Sequence, residues 1–373
     1  MNNTDYYEQV RKKLTLGQLY APKHGKIYEL MKILWNQEEI EILSHFKPAD
    51  QVNSLKELAE KTNKTKEEIK EVLRNSLRKG VISRKGTRYS LLPVLPGIFE
   101  QYFIRQRDTK ENIVKVAEIY RFLFKNFYPS FYHNENFKIF RTRLPLDARE
   151  KLIEVNQEYD IQQQILSHEC VEELIEKNEI FSVIPCQCRL IGQYSGEPCS
   201  CAPPELGCFL TGSVAEMAIK AGAPKLNKEQ AIEFLKKTEN AGLIHSCVAD
   251  TSKESSLYIC NCCSCHCGAL IQAREHKHTA TFKSNFIPQW NHKLCTKCDM
   301  CLKKCQMGAI YHKWPKNFDK SDEYMFLKEE FCIGCGICAQ VCPNNAIQLL
   351  KVRNNILKEK YKIGNKTFLE LIL

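Results

Sequence analysis

Apolar residues at Ile27, Leu30, Met31, Leu34, Ile40 and Leu43 return at the spacing of one helix face and predict a long first helix. A second helix is expected over 55–62, followed by a short turn at Asn63-Lys64. Thr65 with Glu68 three positions later is a capping box, opening a third helix that runs to Lys79 and stops at Gly80. Val81-Ile82-Ser83-Arg84 and Thr87-Arg88-Tyr89-Ser90-Leu91 then predict two strands around Lys85-Gly86.

Helices followed by such a hairpin predict a winged helix-turn-helix over 25–93, inside a first domain spanning 1–97. Residues 55–92 carry eleven Lys and Arg against five Glu. Lys64, Lys66, Lys70, Arg74, Arg78, Arg84, Lys85 and Arg88 are therefore candidates to face phosphates, and the domain reads either as a DNA binder or as a protein-docking module. Residues 98–130 read as mostly helical with Asp108 or Thr109 as cap. The aromatics Tyr120, Phe122, Phe124, Phe127 and Tyr128 near its end read as core packing. Residues 137–185 mix short strands with a helix near 169–178. A further helix over 227–241 is capped by Asn227 with Gln230 and ended by Gly242.

Cysteine changes the picture. There are 20 in 373 residues, none in the first 169, and most lie two or three residues apart. Such spacing suits metal sites better than disulfides. The opening residues lack a basic-then-apolar signal pattern, and no apolar run approaches the roughly 18 residues of a membrane span. A cytosolic protein is expected. The formal charge is +10 with every thiol counted as neutral, so it argues only weakly for nucleic acid.

Two stretches repeat near the C-terminus. Cys295, Cys298, Cys301 and Cys305 share a C-x2-C-x2-C-x3-C spacing with Cys332, Cys335, Cys338 and Cys342, and both runs continue to an Ala-Ile pair. This spacing is that of bacterial two-cluster ferredoxins. Three cysteines wrap one loop around three corners of a cube, and the fourth belongs to the other cube. Cys295, Cys298, Cys301 and Cys342 should thus hold one 4Fe–4S cluster, and Cys332, Cys335, Cys338 and Cys305 the second. The second run ends in Cys342-Pro343, whereas Gln306 replaces the proline in the first. Two zinc sites are the bland alternative, but zinc ribbons pair C-x2-C hairpins rather than four-cysteine runs.

The middle holds Cys186, Cys188, Cys199, Cys201 and Cys208, then Cys260, Cys262, Cys263, Cys265 and Cys267 after the intervening helix. All-thiolate surroundings suit iron–sulfur or zinc. Cys186, Cys188, Cys201, Cys208, Cys260, Cys262 and Cys263 are the candidate ligands of a third iron–sulfur cluster, with structural zinc and redox-active thiols as the other readings. His266 reads as a bystander, and Arg189 as a counter-charge.

The layout resembles uncharacterised 4Fe–4S dicluster proteins of anaerobic bacteria and archaea. The resemblance spans 25–351 and rests on Leu95-Pro96-Gly97-Ile98-Phe99-Glu100, Cys186-x-Cys188-Arg189, Cys201-x6-Cys208, Ala241-Gly242-Leu243-Ile244-His245 and Cys260-Asn261-Cys262-Cys263. Cys199 and His266 depart from its pattern. It implies ferredoxin-like electron transfer with no assigned substrate. The expected fold is α+β and multidomain: a winged helix-turn-helix (1–97), a mixed α/β cysteine-rich middle domain (98–285), a ferredoxin-like two-cluster domain (286–351) and a tail (352–373). The expected function is an electron-transfer component of an anaerobic oxidoreductase system, with a redox protein as partner. The alternative is a redox-sensing iron–sulfur regulator that binds DNA through the winged helix. No nucleotide-binding glycine fingerprint, catalytic carboxylate pair or nucleophile–base spacing occurs.

Overall fold

A computed structural model describes residues 5–17, 19–49, 51–127, 139–152, 169–250, 257–271, 274, 281–313, 324–355, 357 and 360–372. Residues 1–4, 137–138 and 153–168 and Tyr128, all used in the sequence reading, lie outside the described residues, as does Lys316. Two compact units emerge. One comprises Met1–Phe124, Leu190–Glu197 and Tyr361–Leu373; the other comprises Lys125–Arg189 and Pro198–Lys360. The first unit thus takes in residues that the sequence reading assigned to the middle domain and to the tail. Among the described residues no helix is long and apolar enough to cross a membrane.

In the first unit the expected long helix is two: α2 (Gly25–Leu34) and α3 (Gln37–Ser44), after a short α1 (Tyr6–Lys13). The break has a local cause. Asn36 and Glu39 form a capping box, with Glu39 N–H donating to Asn36 Oδ1 at 2.8 Å and Asn36 N–H to Glu39 Oε2 at 2.9 Å. Trp35 is extended at φ −132° and fully buried. A box of this kind starts a new helix even inside a helical apolar pattern, and the burial of Trp35 holds the corner.

The strand β1 (Asn53–Ser54), helices α4 (Leu55–Thr62) and α5 (Lys66–Lys79), and strands β2 (Ile82–Lys85) and β3 (Arg88–Leu91) follow. Capping boxes at Ser54/Glu57 and Thr65/Glu68 start the two helices, and β1 and β2 flank β3 in an antiparallel sheet. Leu58, Ile69 and Leu73 pack inward from α4 and α5. Helices α6 (Phe99–Arg105) and α7 (Lys110–Asn126) add an aromatic core, with Phe99 5.0 Å from Tyr120 and 5.1 Å from Phe124. Asn112 N–H donates to Thr109 Oγ1 at 3.2 Å, which makes Thr109 the cap. The last residues return to this unit: a hairpin of Lys362–Ile363 with Lys366–Thr367 precedes a short helix, and Lys366 Nζ donates to Ala49 O at 2.8 Å.

One ion pair in this unit is buried. Lys79 Nζ lies 2.9 Å from Asp108 Oδ2, with side chains only 8% and 4% exposed. Burial alone would push the Asp108 carboxyl up, but Lys79, Asn112 and the Thr109 N–H outweigh it and hold its pKa below the usual aspartate range. A carboxyl with a lowered folded pKa stabilises fully above its unfolded pKa, and loses that contribution as pH falls through the folded value. Lys79→Ala would leave the carboxylate buried without its cation, at a cost of about 3–5 kcal/mol. A urea midpoint equal to wild type at neutral pH would refute this.

The second unit is built on a seven-stranded sheet. Its strands are β4 (Phe140–Thr142), β5 (Phe181–Ile184), β6 (Cys208–Thr211), β7 (Lys225–Leu226), β8 (Ile244–Val248), β9 (Tyr258–Cys262) and β10 (Thr281–Phe282), in the order β10-β4-β8-β9-β6-β5-β7. The helix Lys228–Asn240, started by the Asn227/Gln230 box, lays Ala231 and Leu235 on Phe181, Phe209 and Ile259 of this sheet. The C-terminal part has two small antiparallel strand pairs, β11 (Phe286–Trp290) with β14 (Ile347–Lys351), and β12 (Ile310–Lys313) with β13 (Tyr324–Leu327). One short helix follows each cysteine loop, at Met300–Lys304 and Ile337–Gln340. Phe286, Ile310, Met325, Ile347 and Leu349 share a core with Cys301 and Cys338.

Candidate metal centres

The two C-terminal loops have the same backbone. Lys297 (φ 55°) and Asp299 (φ 64°) stand where the second repeat has Gly334 (φ 70°) and Gly336 (φ 77°). These left-handed residues curl each loop inward before its short helix. A small cavity, partly open to solvent, is lined by Cys295, Cys298 and Cys301 of the first loop and by Cys342 of the second. Trp290 and Met325 close its apolar side. In the other loop, burial pushes the Cys335 thiol up to about 12 and raises Cys332 and Cys338, and the nearby Cys305 sulfur raises all three further. Burial likewise raises Cys301 to about 11. Thiols so placed ionise only beside a compensating cation, and four of them around one cavity fit an iron–sulfur group.

Backbone N–H groups aim at the sulfurs. Ala309 N lies 3.3 Å from Cys305 Sγ, Ala346 N 3.2 Å from Cys342 Sγ, and Gly334 N 3.4 Å from Cys332 Sγ. The Ala of each Ala-Ile pair thus donates to the fourth cysteine of its own run. Such donors favour the thiolate and tune what it ligates. Cys298 is exposed, whereas Cys332 and Cys338 are buried.

The middle cysteines divide into two sets. Cys199, Cys201, Cys263 and Cys265 form one, with sulfurs 3.7 Å apart for Cys199–Cys263, 3.5 Å for Cys199–Cys265 and 3.9 Å for Cys201–Cys265. The other is a chain of contacts from Cys186 to Cys188, Cys267, Cys262, Cys260 and Cys208, the last pair 3.8 Å apart. The expected ligand group of Cys186, Cys188, Cys208, Cys260 and Cys262 is therefore together, but Cys201 and Cys263 stand with the other set. Sequence reasoning missed Cys199, Cys265 and Cys267. The matched C-x-C spacings at 199/201 and 263/265 were the available signal. Cys170 packs in the ferredoxin-side core with its thiol pushed up to about 12 by burial, and Cys247 accepts from Arg143 Nε at 3.4 Å.

Local structure explains how segments this far apart meet. On β9, Cys260 and Cys262 project to one face, while Asn261 faces the opposite way and meets His245 of β8, Nδ1 to Oδ1 at 2.7 Å. His245 Nε2 lies 3.1 Å from Glu239 Oε1, and Asn261 Nδ2 donates to Gly207 O at 2.6 Å. This buried chain fixes the strand that carries the two thiols. Gly207 permits the close approach: a Cβ there would lie 2.2 Å from Ile184 O and 2.3 Å from Cys186 N. Arg189 is fully buried and donates to the carbonyls of Pro203 (3.1 Å), Asn261 (2.9 Å) and Leu206 (2.5 Å). Burial opposes its charge, yet Cys186 and Cys263, one from each set, raise its pKa above the ordinary arginine value. It braces both loops and lies between the two sets.

Gln306 joins this region to the ferredoxin. Its Oε1 accepts from Ser264 N–H (3.0 Å) and Ser264 Oγ–H (3.1 Å), and lies 3.9 Å from Cys201 Sγ. A proline there would have no such amide. Of the eight basic residues assigned to phosphates, Lys64, Lys70 and Arg74 pair with Glu38, Glu67 and Glu71.

The family described as 4Fe-4S dicluster domain matches residues 294–362. The chain is 38% identical over 72 residues to an uncharacterized ferredoxin of Methanocaldococcus jannaschii, covering 19% of this chain and 82% of that one. It is 35% identical over 69 residues to the pyruvate synthase subunit PorD of the same organism, covering 18% and 71%. An archaeal-type glutamate synthase [NADPH] of Dehalococcoides mccartyi is 33% identical over 75 residues, but these cover 20% of this chain and only 13% of that one. The chain thus spans a small fraction of some curated relatives it matches. No solved structure matches. The family match lies on the region of the two repeated cysteine loops, and together with these relatives it supports iron–sulfur electron transfer. By that region the chain belongs to the 4Fe-4S dicluster ferredoxins.

Proposed function

We propose that the chain is a cytosolic electron-transfer component of an anaerobic oxidoreductase system, passing electrons to or from a redox protein through two crossed 4Fe–4S sites. The observation that carries this is the lining of one cavity by Cys295, Cys298 and Cys301 together with Cys342. Cys305 with Cys332, Cys335 and Cys338 would hold the second group. Each group, when bound, supplies one-electron transfer at a potential set by its surroundings. The chain's own part is to shield one site among buried side chains, bring the other to the surface at Cys298, and donate N–H groups to the sulfurs.

The surface by the first site suits an acidic partner. Lys297, Lys303 and Lys313 are exposed, and Lys313 and Lys328 lie over the rings of Phe326 and Tyr311 at 4.5 and 4.7 Å. Basic charge beside exposed aromatics favours steered, salt-sensitive encounter. The middle thiols add further metal-binding capacity. So many free thiols suit a reducing compartment. The first unit is read as a winged-helix docking module, because α5 with the β2–β3 hairpin has that form and part of its basic face is already paired with glutamates.

Anaerobic purification with iron and acid-labile sulfide counting tests the reading. The ferredoxin region should contribute about eight irons and as many sulfides, with paramagnetic signals on reduction. Protein that carries zinc in these loops and no sulfide would overturn it.

A further inference from the structure

Sulfur spacing distinguishes a single ion from a cube. Four thiolates around one ion at a metal–sulfur distance of about 2.3 Å stand about 3.8 Å apart as the edges of a tetrahedron. Thiolates on a cube bind four different irons, so their sulfurs stand further apart. The ferredoxin thiols fit the second pattern, with four of them spread around a single pocket.

The set at Cys199, Cys201, Cys263 and Cys265 follows the first. Three of its edges are 3.5, 3.7 and 3.9 Å, and the ligand atoms of Cys199, Cys263, Cys265 and His266 all lie within 4.8 Å of one another. Three of the six edges of a tetrahedron are thus of single-ion length, too short to span a cube. Each C-x-C pair offers two thiols from one turn, and the two turns meet face to face. We propose that these four cysteines bind one tetrahedral divalent ion, zinc or iron, with no sulfide.

The surroundings suit such a site. Four thiolates and one divalent ion carry two net negative charges, and the buried Arg189 beside Cys263 offsets part of them. His266 Nδ1 lies 3.2 Å from Cys265 Sγ and serves as a hydrogen-bond partner to that sulfur. Gln306, holding the Ser264 N–H, fixes the turn between Cys263 and Cys265. The proposal stands independently of the electron-transfer reading.

The test uses full-length protein purified without oxygen. X-ray absorption at the zinc and iron edges should show one ion per chain in a sulfur-only shell at about 2.3 Å. Cys199→Ala and Cys265→Ala should each remove about one metal per chain, zinc or iron according to which is bound, and leave sulfide content and the ferredoxin signals unchanged. Loss of iron together with an equal amount of sulfide would mean a cube and overturn the proposal. Should both variants fail to fold, the absorption spectrum of the intact protein decides: absence of a metal held by sulfur alone, apart from the clusters, overturns it.

Discussion

Cys342→Ala is expected to abolish the iron–sulfur group of the first loop, although Cys342 lies in the second. Its sulfur lines the cavity formed by Cys295, Cys298 and Cys301, and Cys305 neighbours Cys332, Cys335 and Cys338. Losing one of four thiolates leaves an iron open to solvent and removes the charge that held it, so the whole group should be lost. Iron and sulfide should each fall by about four per chain. Identity is read by comparison. The paramagnetic spectrum of Cys342→Ala should match that of Cys298→Ala, and Cys305→Ala should match Cys335→Ala. If instead Cys342→Ala resembled Cys335→Ala, each loop would hold its own cluster, and the crossed assignment would be wrong.

Gly334→Ala should be nearly as damaging. The left-handed backbone there already disfavours a side chain, and an added Cβ would lie 2.2 Å from both Phe286 O and Ser284 Oγ. Ser284 Oγ can turn away; the carbonyl of Phe286 belongs to the strand paired with β14 and cannot. The loop must lift off that strand, at a cost of about 3 kcal/mol. Visible absorbance from the second group should bleach at lower urea than in wild type, with lower iron content. At the matching position of the first loop, Lys297→Gly should have the opposite sign. It relieves a left-handed side chain and should gain up to about 1 kcal/mol. Equal midpoints for Gly334→Ala and wild type would show that the loop is free to move.

What was legible in the chain follows from how local each signal is. The four-cysteine runs lie within eleven residues, and capping boxes within four, so both could be read directly. The same kind of box at Asn36 and Glu39 was overridden by the apolar period running across it, which produced one helix where there are two. The middle cysteines were recognisable as ligand-like but not sortable. Both sets draw on segments around 186–208 and 260–267, and only the pairing of β6 with β9 and the Arg189 brace decide which thiol meets which. Gln306 was visible as a missing proline, yet its partner Ser264 lies 42 positions away. The return of the last residues to the first unit had no sequence signal, because it rests on contacts such as Lys366 with Ala49.

That return bears on how the protein is made. The helices and strands of residues 6–91 leave the ribosome well before the strand pair at 362–367 and the helix after it, which follow both cysteine loops. Gly17, whose Cβ position lies 3.1 Å from Gly364 N, waits for that segment throughout translation. A chain cut after Lys360 would keep both cysteine runs and leave the first unit unfinished.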